Sequence, residues 1–177
     1  MVETYNKGIT LPLMRPIPLP IPQPAKWWNV WGKIKNLGVR MQPRKWLIEE
    51  DYLIDVPWFD ITICIPKGFI FDGASVPRIF WPLMSPTGIM FIAGLYHDFG
   101  YRYNCWLDIN YTPIFVDRGK VFFDGQIEKM GTWINDSIIT PNVCWAGLVI
   151  GGWMTWYTRR KENKQASVDF PQILITE

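Results

Sequence analysis

The sequence predicts an α+β domain: a small antiparallel sheet packed against about three helices, with an extended proline-rich N-terminal arm. Three observations predict it. Residues 45–71 hold short apolar runs with the alternation of strands, later segments repeat apolar residues at helical spacing, and residues 11–24 are crowded with proline. At 177 residues the chain has room for one domain with extensions. Apolar residues, 49% of the total, supply a core, and the 11 tryptophans within a 16% aromatic share also suit a partner surface. A net charge of +2 is too small to draw nucleic acid, and Arg159-Arg160-Lys161 is the longest basic run. Cys64, Cys105 and Cys144 are widely spaced and odd in number, which argues against a disulfide framework or a CxxC metal clip and for a reducing compartment. Residues 1–10 are polar and lack an apolar signal-peptide core, so classical secretion is not expected.

Taken in order, the elements divide the chain into an arm with a Trp-rich short helix (1–44), an α+β domain (45–160) and a polar tail (161–177). In the arm, proline at alternate positions removes backbone donors and excludes helix, leaving an extended, polyproline-like segment. Its intervening residues are mostly apolar, so it is expected in a groove on a partner or on the domain's own aromatic surface, with a disordered leader as the competing reading. Trp27, Val30, Trp31, Ile34 and Leu37 share one face of a short helix that stops at Gly38; the face is expected to pack inward, with an exposed anchor as the competing reading. Strands follow at Trp46–Ile48, Tyr52–Ile54 and Phe59–Ile65. A turn at Pro66-Lys67-Gly68 then restarts a strand at Phe69–Phe71. Asp72-Gly73-Ala74-Ser75 makes a tight connection with capping groups, and Pro77 begins a helical turn. Helices are predicted over 89–103 and 119–135, with a loop of partial strand character between them. Residues 143–157 carry no charge but fall short of the ~20 residues of a spanning helix. They predict a buried helix whose glycines permit close packing, and residues 168–175 predict a further strand or a docking tail.

The only histidine is His97, and imidazole is the side chain that titrates near neutrality unperturbed. On the 89–103 helix, Phe91, Leu95 and Phe99 form a core stripe, while His97 and Tyr101 share another face. Asp98 is adjacent in sequence, but neighbours on a helix diverge by about 100°, so an orienting carboxylate has to come from elsewhere. Asp124, on the next antiparallel helix, is the expected orienter. In that constellation His97 is a general base on water and Asp124 fixes its tautomer. Asp98, with Asp72 or carbonyl oxygens of the Asp-Gly-Ala-Ser loop, holds a hard cation such as Ca²⁺ that polarises an ester. The competing reading is a core histidine bonded to a carboxylate.

His97-Asp98-Phe99-Gly100-Tyr101-Arg102 resembles the His-Asp helix of bacterial and fungal phospholipases A2, and Lys120–Gly131, with Asp124, is similar to that family's second helix. The resemblance implies that His97 activates water, Asp98 ligates Ca²⁺ and Asp124 pairs with His97. Phe69-x-x-Asp-Gly-Ala-Ser-x-Pro77, then His97-Asp-x-x-Tyr101, then an Asp-bearing helix and an apolar helix together resemble a domain family of tailed phages and prophages. That likeness spans roughly 45–160 and implies phage origin without a settled activity.

The expected function is therefore a bacteriophage virion-associated protein, of tail, baseplate or other accessory type, carrying a phospholipase-A2-like His/Asp cluster. The alternative is a Ca²⁺-dependent lipid esterase acting on the host envelope. Expected partners are other virion proteins, met through the arm and the Trp-rich surface. No nucleic acid is expected, and membrane lipid enters only as a substrate. The expected location is the virion, after synthesis in the host cytoplasm. A zinc peptidase is improbable with one histidine and no HExxH spacing.

Overall fold

In the computed structural model, the described residues are 9–18, 20–21, 24, 26, 28–41, 45–71 and 90–166. They form two small antiparallel sheets and four helices, an α+β arrangement. The first sheet orders β1 (Met14–Pro16), β2 (Trp46–Ile48) and β5 (Ile70–Phe71), with β2 central. The second orders β3 (Tyr52–Val56), β4 (Ile61–Ile65), β6 (Trp106–Leu107) and β7 (Pro113–Ile114). The helices are α1 (Val30–Met41), α2 (Phe91–Tyr103), α3 (Lys120–Asn135) and α4 (Ile139–Ala166).

The one-face alternation expected over Phe59–Ile65 does not hold, since Ile63, Cys64 and Ile65 of β4 are all buried, but it appears in the strand beside it. In β3, Tyr52, Ile54 and Val56 are buried while Leu53 and Asp55 face out, and β4 pairs in register from Tyr52–Ile65 to Val56–Ile61. Gly68 adopts φ +86 in the turn before β5, a conformation open to glycine. The apolar strands meet α2 through Phe71 against Phe91 and Phe69 against Phe99, both edge-on at 5.1 Å.

Part of the arm, residues 10–17, lies on its own domain. Met14 to Pro16 pair with Ile48 to Trp46, Glu49 N–H donates to Leu13 O (2.9 Å), and Tyr52 Oη–H donates to Thr10 O (2.7 Å). The one expected sheet is two, since β2 pairs with β1 and β5 while β3 and β4 pair with each other and β4 with β6.

Three expectations change. Helix α1 runs through Gly38, since one interior glycine costs only about 1 kcal/mol. Its apolar face does not pack inward: Val30, Trp31 (82% exposed) and Ile34 face solvent, because the core is filled by the sheets with α2, α3 and α4. Helix α4 is longer than predicted and not buried. Proline is tolerated at Pro141 because a helix's first turn lacks intrahelical acceptors for its N–H groups. Gly152 and Trp156 are buried, Cys144 and Leu148 are partly buried, and the other side carries exposed apolar residues. The readings at Asp72–Ser75, at Pro77 and over 168–175 fall outside the described residues.

Candidate functional site

The sequence positions the site by closing α2 and reversing into α3. Asn104 ends α2 in the left-handed region (φ 52), which asparagine tolerates, and its N–H bonds Gly100 O. The same residue ties down the start of α3: its Oδ1 accepts from Gly119 N–H (3.1 Å), its Nδ2 donates to Asp117 Oδ1 (2.5 Å), and its carbonyl accepts from Asp117 N–H (2.9 Å). The two helices then approach closely at Gly100, where a Cβ would collide with the Phe123 ring.

That approach brings His97, Tyr101, Lys120 and Asp124 together. His97 Nε2 lies 3.1 Å from Asp124 Oδ1, as expected of the orienting carboxylate. An ionised carboxylate only accepts, so Nε2 carries the proton. Tyr101 Oη–H donates to the same oxygen, and Lys120 Nζ donates to Asp124 Oδ2. Lys120 also donates to Leu148 O on α4 (2.8 Å). This links α2, α3 and α4 through one carboxylate. Gly152 makes room for it, since a Cβ there would stand 2.9 Å from Tyr101 Oη and 3.1 Å from Lys120 Cε. Trp156 packs edge-on against Tyr101 at 4.9 Å.

The whole cluster is buried, with His97 5% and Asp124 2% exposed. Asp98 sits on the other side of the imidazole, its Oδ1 3.8 Å from Nδ1, beyond hydrogen-bond distance. Burial alone would lower the His97 pKa, but the Asp124 bond and the Asp98 charge outweigh it and hold the group above its ordinary 6.5. For Asp124, burial would raise the pKa, yet the His97, Lys120 and Tyr101 donors hold it below the usual carboxylate value. Tyr101 is pushed far up by burial and by the same carboxylate, so its hydroxyl stays protonated. Burial also lifts the thiols of Cys64 to about 12 and of Cys105 and Cys144 to about 11, which makes them poor nucleophiles.

Of the sequence-predicted site residues, His97, Asp124 and Tyr101 meet directly and Asp98 lies beside them, while Asp72 is outside the described residues. Among the described residues, no group of three or more His, Cys, Asp or Glu gathers to hold a metal. Sequence reasoning missed Lys120, four residues before Asp124, because such a pair ordinarily reads as a solvated helix face. The available signal was Gly152 within the uncharged helix, a small residue that admits an ammonium.

Residues 46–124 match a family described as protein of unknown function (DUF1353). The DUF1353 match contains every member of the cluster from His97 to Asp124, and the arm, α1 and α4 lie outside it. It fits the expected likeness to a domain family without a settled activity. No curated protein and no solved structure matches the chain.

Proposed function

We propose that this chain is a bacteriophage virion-associated accessory protein, a tail, baseplate or other structural component. It meets neighbouring virion proteins through its Trp-rich helix, and the His97–Asp124 cluster pins its own helices together. One observation carries the reading: α1 and the residues before it expose Trp28, Val30, Trp31 and Ile34 side by side, an aromatic-rich patch of the kind enriched at protein interfaces. The cluster supports the pin. Lys120 already pairs with Asp124, and against the lowering by burial the Asp124 bond and the Asp98 charge raise the His97 pKa, which makes the ring hold its proton more tightly. The test is mass spectrometry of density-purified particles of the encoding phage. The chain should be present in near-stoichiometric amount, and Trp31→Asp with Ile34→Asp should deplete it. A chain absent from particles and monomeric in solution overturns the reading.

A second reading, the Ca²⁺-dependent lipid esterase, is favoured by one specific arrangement: Nε2 of His97 is held by Asp124, with Tyr101 on the same oxygen. The ring's other nitrogen, Nδ1, would accept a water proton as the oxygen attacks the ester carbonyl, then return it to the departing alkoxide as the acyl–oxygen bond breaks. Asp98 would supply one carboxylate to Ca²⁺, which needs six to eight oxygens, and Asp72 would be a further donor. The chemistry the ion supplies is polarisation of the carbonyl. Activity would rise as pH passes the elevated His97 pKa. Fatty-acid release from phospholipid vesicles at millimolar Ca²⁺, absent in His97→Ala, would establish this reading, and no release by wild type would remove it.

A further inference from the structure

Helix α4 carries no charge from residue 139 to residue 158, about 30 Å of helix. One stripe, Cys144, Leu148, Gly152 and Trp156, turns toward α2 and α3. The opposite side exposes Val143, Met154 (82%) and Tyr157 (61%); Trp153, at the edge of that face, covers Lys120 Nζ at 5.0 Å with its ring and stacks on Tyr157 at 6.0 Å. Gly147 on this side has nothing within 4 Å of an added Cβ, so none of the described residues stands over the face there. Directly after the uncharged run, still within α4, the sequence places Arg159, Arg160 and Lys161.

We infer that the outer face of α4 docks on the surface of an anionic lipid bilayer. Three features favour lipid over a second protein. The face has no charged residue to pair with a protein rim. Its indole and phenol groups suit the headgroup boundary, where Trp and Tyr are enriched. Its basic terminus complements anionic headgroups, each such residue adding attraction near the surface. No helix among the described residues is long and apolar enough to cross a membrane, so the contact is lateral: α4 lies in the interface while its inner stripe stays on α2 and α3. The inference rests on neither reading of the buried cluster.

The test is flotation of the full chain with vesicles of phosphatidylcholine alone and of phosphatidylcholine mixed with phosphatidylglycerol. The chain should float with the mixed vesicles and bind pure phosphatidylcholine several-fold less, with binding falling as salt rises. Met154→Glu with Tyr157→Glu should cut binding to mixed vesicles about tenfold or more while leaving the circular dichroism unchanged. If that pair prevents cooperative melting, Val143→Glu alone should weaken binding in the same direction. Charge reversal at Arg159, Arg160 and Lys161 should erase the preference for the anionic lipid. The inference is overturned if wild type floats with neither vesicle, or if flotation survives the glutamate substitutions. It is equally overturned if the chain ignores vesicles and forms a dimer in the ultracentrifuge that Met154→Glu abolishes, which would assign the face to a second copy.

Discussion

Helices α2 and α4 are built from similar apolar and aromatic residues, yet α2 is buried from Phe91 to His97 while α4 shows much of its circumference to solvent. Helix α2 lies between the sheets and two helices, so even His97 is enclosed and must be partnered. Among the described residues, helix α4 has its neighbours on one side only. In consequence the ammonium, carboxylate and imidazole of this layer lie inside it, and its longest uncharged surface lies outside. Burial follows what stands on each side of an element rather than its composition. The inverted distribution separates two roles, internal cohesion at Asp124 and contact at the surface.

Substitutions should break this contrast to very different degrees. The largest effect is expected for Lys120→Met, which leaves Asp124 and Leu148 O each without their ammonium partner. Removing one member of a buried ion pair typically costs 3–5 kcal/mol, and here about 3 kcal/mol is expected because His97 and Tyr101 remain, read from urea denaturation. Gly152→Val should follow at about 1–3 kcal/mol, since its branches press on Tyr101 and Lys120 and lift α4 away.

A third effect is pH-dependent. The folded His97 pKa is raised, so the native state binds the extra proton more tightly than the unfolded chain. Its contribution to stability is fully present below the ordinary 6.5 and is lost as pH climbs through the raised value. Asp124 has the opposite sign: its contribution is present above the unfolded carboxylate pKa and is lost as pH falls through the depressed one. Melting temperature against pH should show both limbs, and His97→Gln should flatten the alkaline one. The smallest effect is expected at the surface, where Trp31→Ser should change stability by about 0.5 kcal/mol or less while changing what the chain binds.

How legible this was in the sequence depended on how local the physics is. The β3–β4 hairpin, the Phe91–Leu95–Phe99 stripe and the meeting of His97 with Asp124 follow from alternation, four-residue spacing and an antiparallel return. The exposure of α1 and α4 did not follow, because an amphipathic pattern specifies an apolar face but not whether the domain has anything to set against it. The burial of Lys120 was hidden for a similar reason. An i,i+4 pair looks the same on a wet face and in a core, and only the glycine on a third helix distinguishes them. For the arm the sequence left a partner groove, the domain's own aromatic surface and a disordered leader open, and none of these is the strand pairing of Met14–Pro16 with β2, because alternate prolines disguise a short edge strand.

The central claim is that Asp124 holds three helices together, and Asp124→Asn tests it most directly because shape is kept while the charge is lost. In urea denaturation the account predicts a lower midpoint with an unchanged slope, a loss of about 3 kcal/mol or more, as the buried Lys120 and His97 donors lose their carboxylate partner. Equal or greater stability of the variant would contradict it, and is the result expected of a carboxylate kept for reactivity at the expense of the fold.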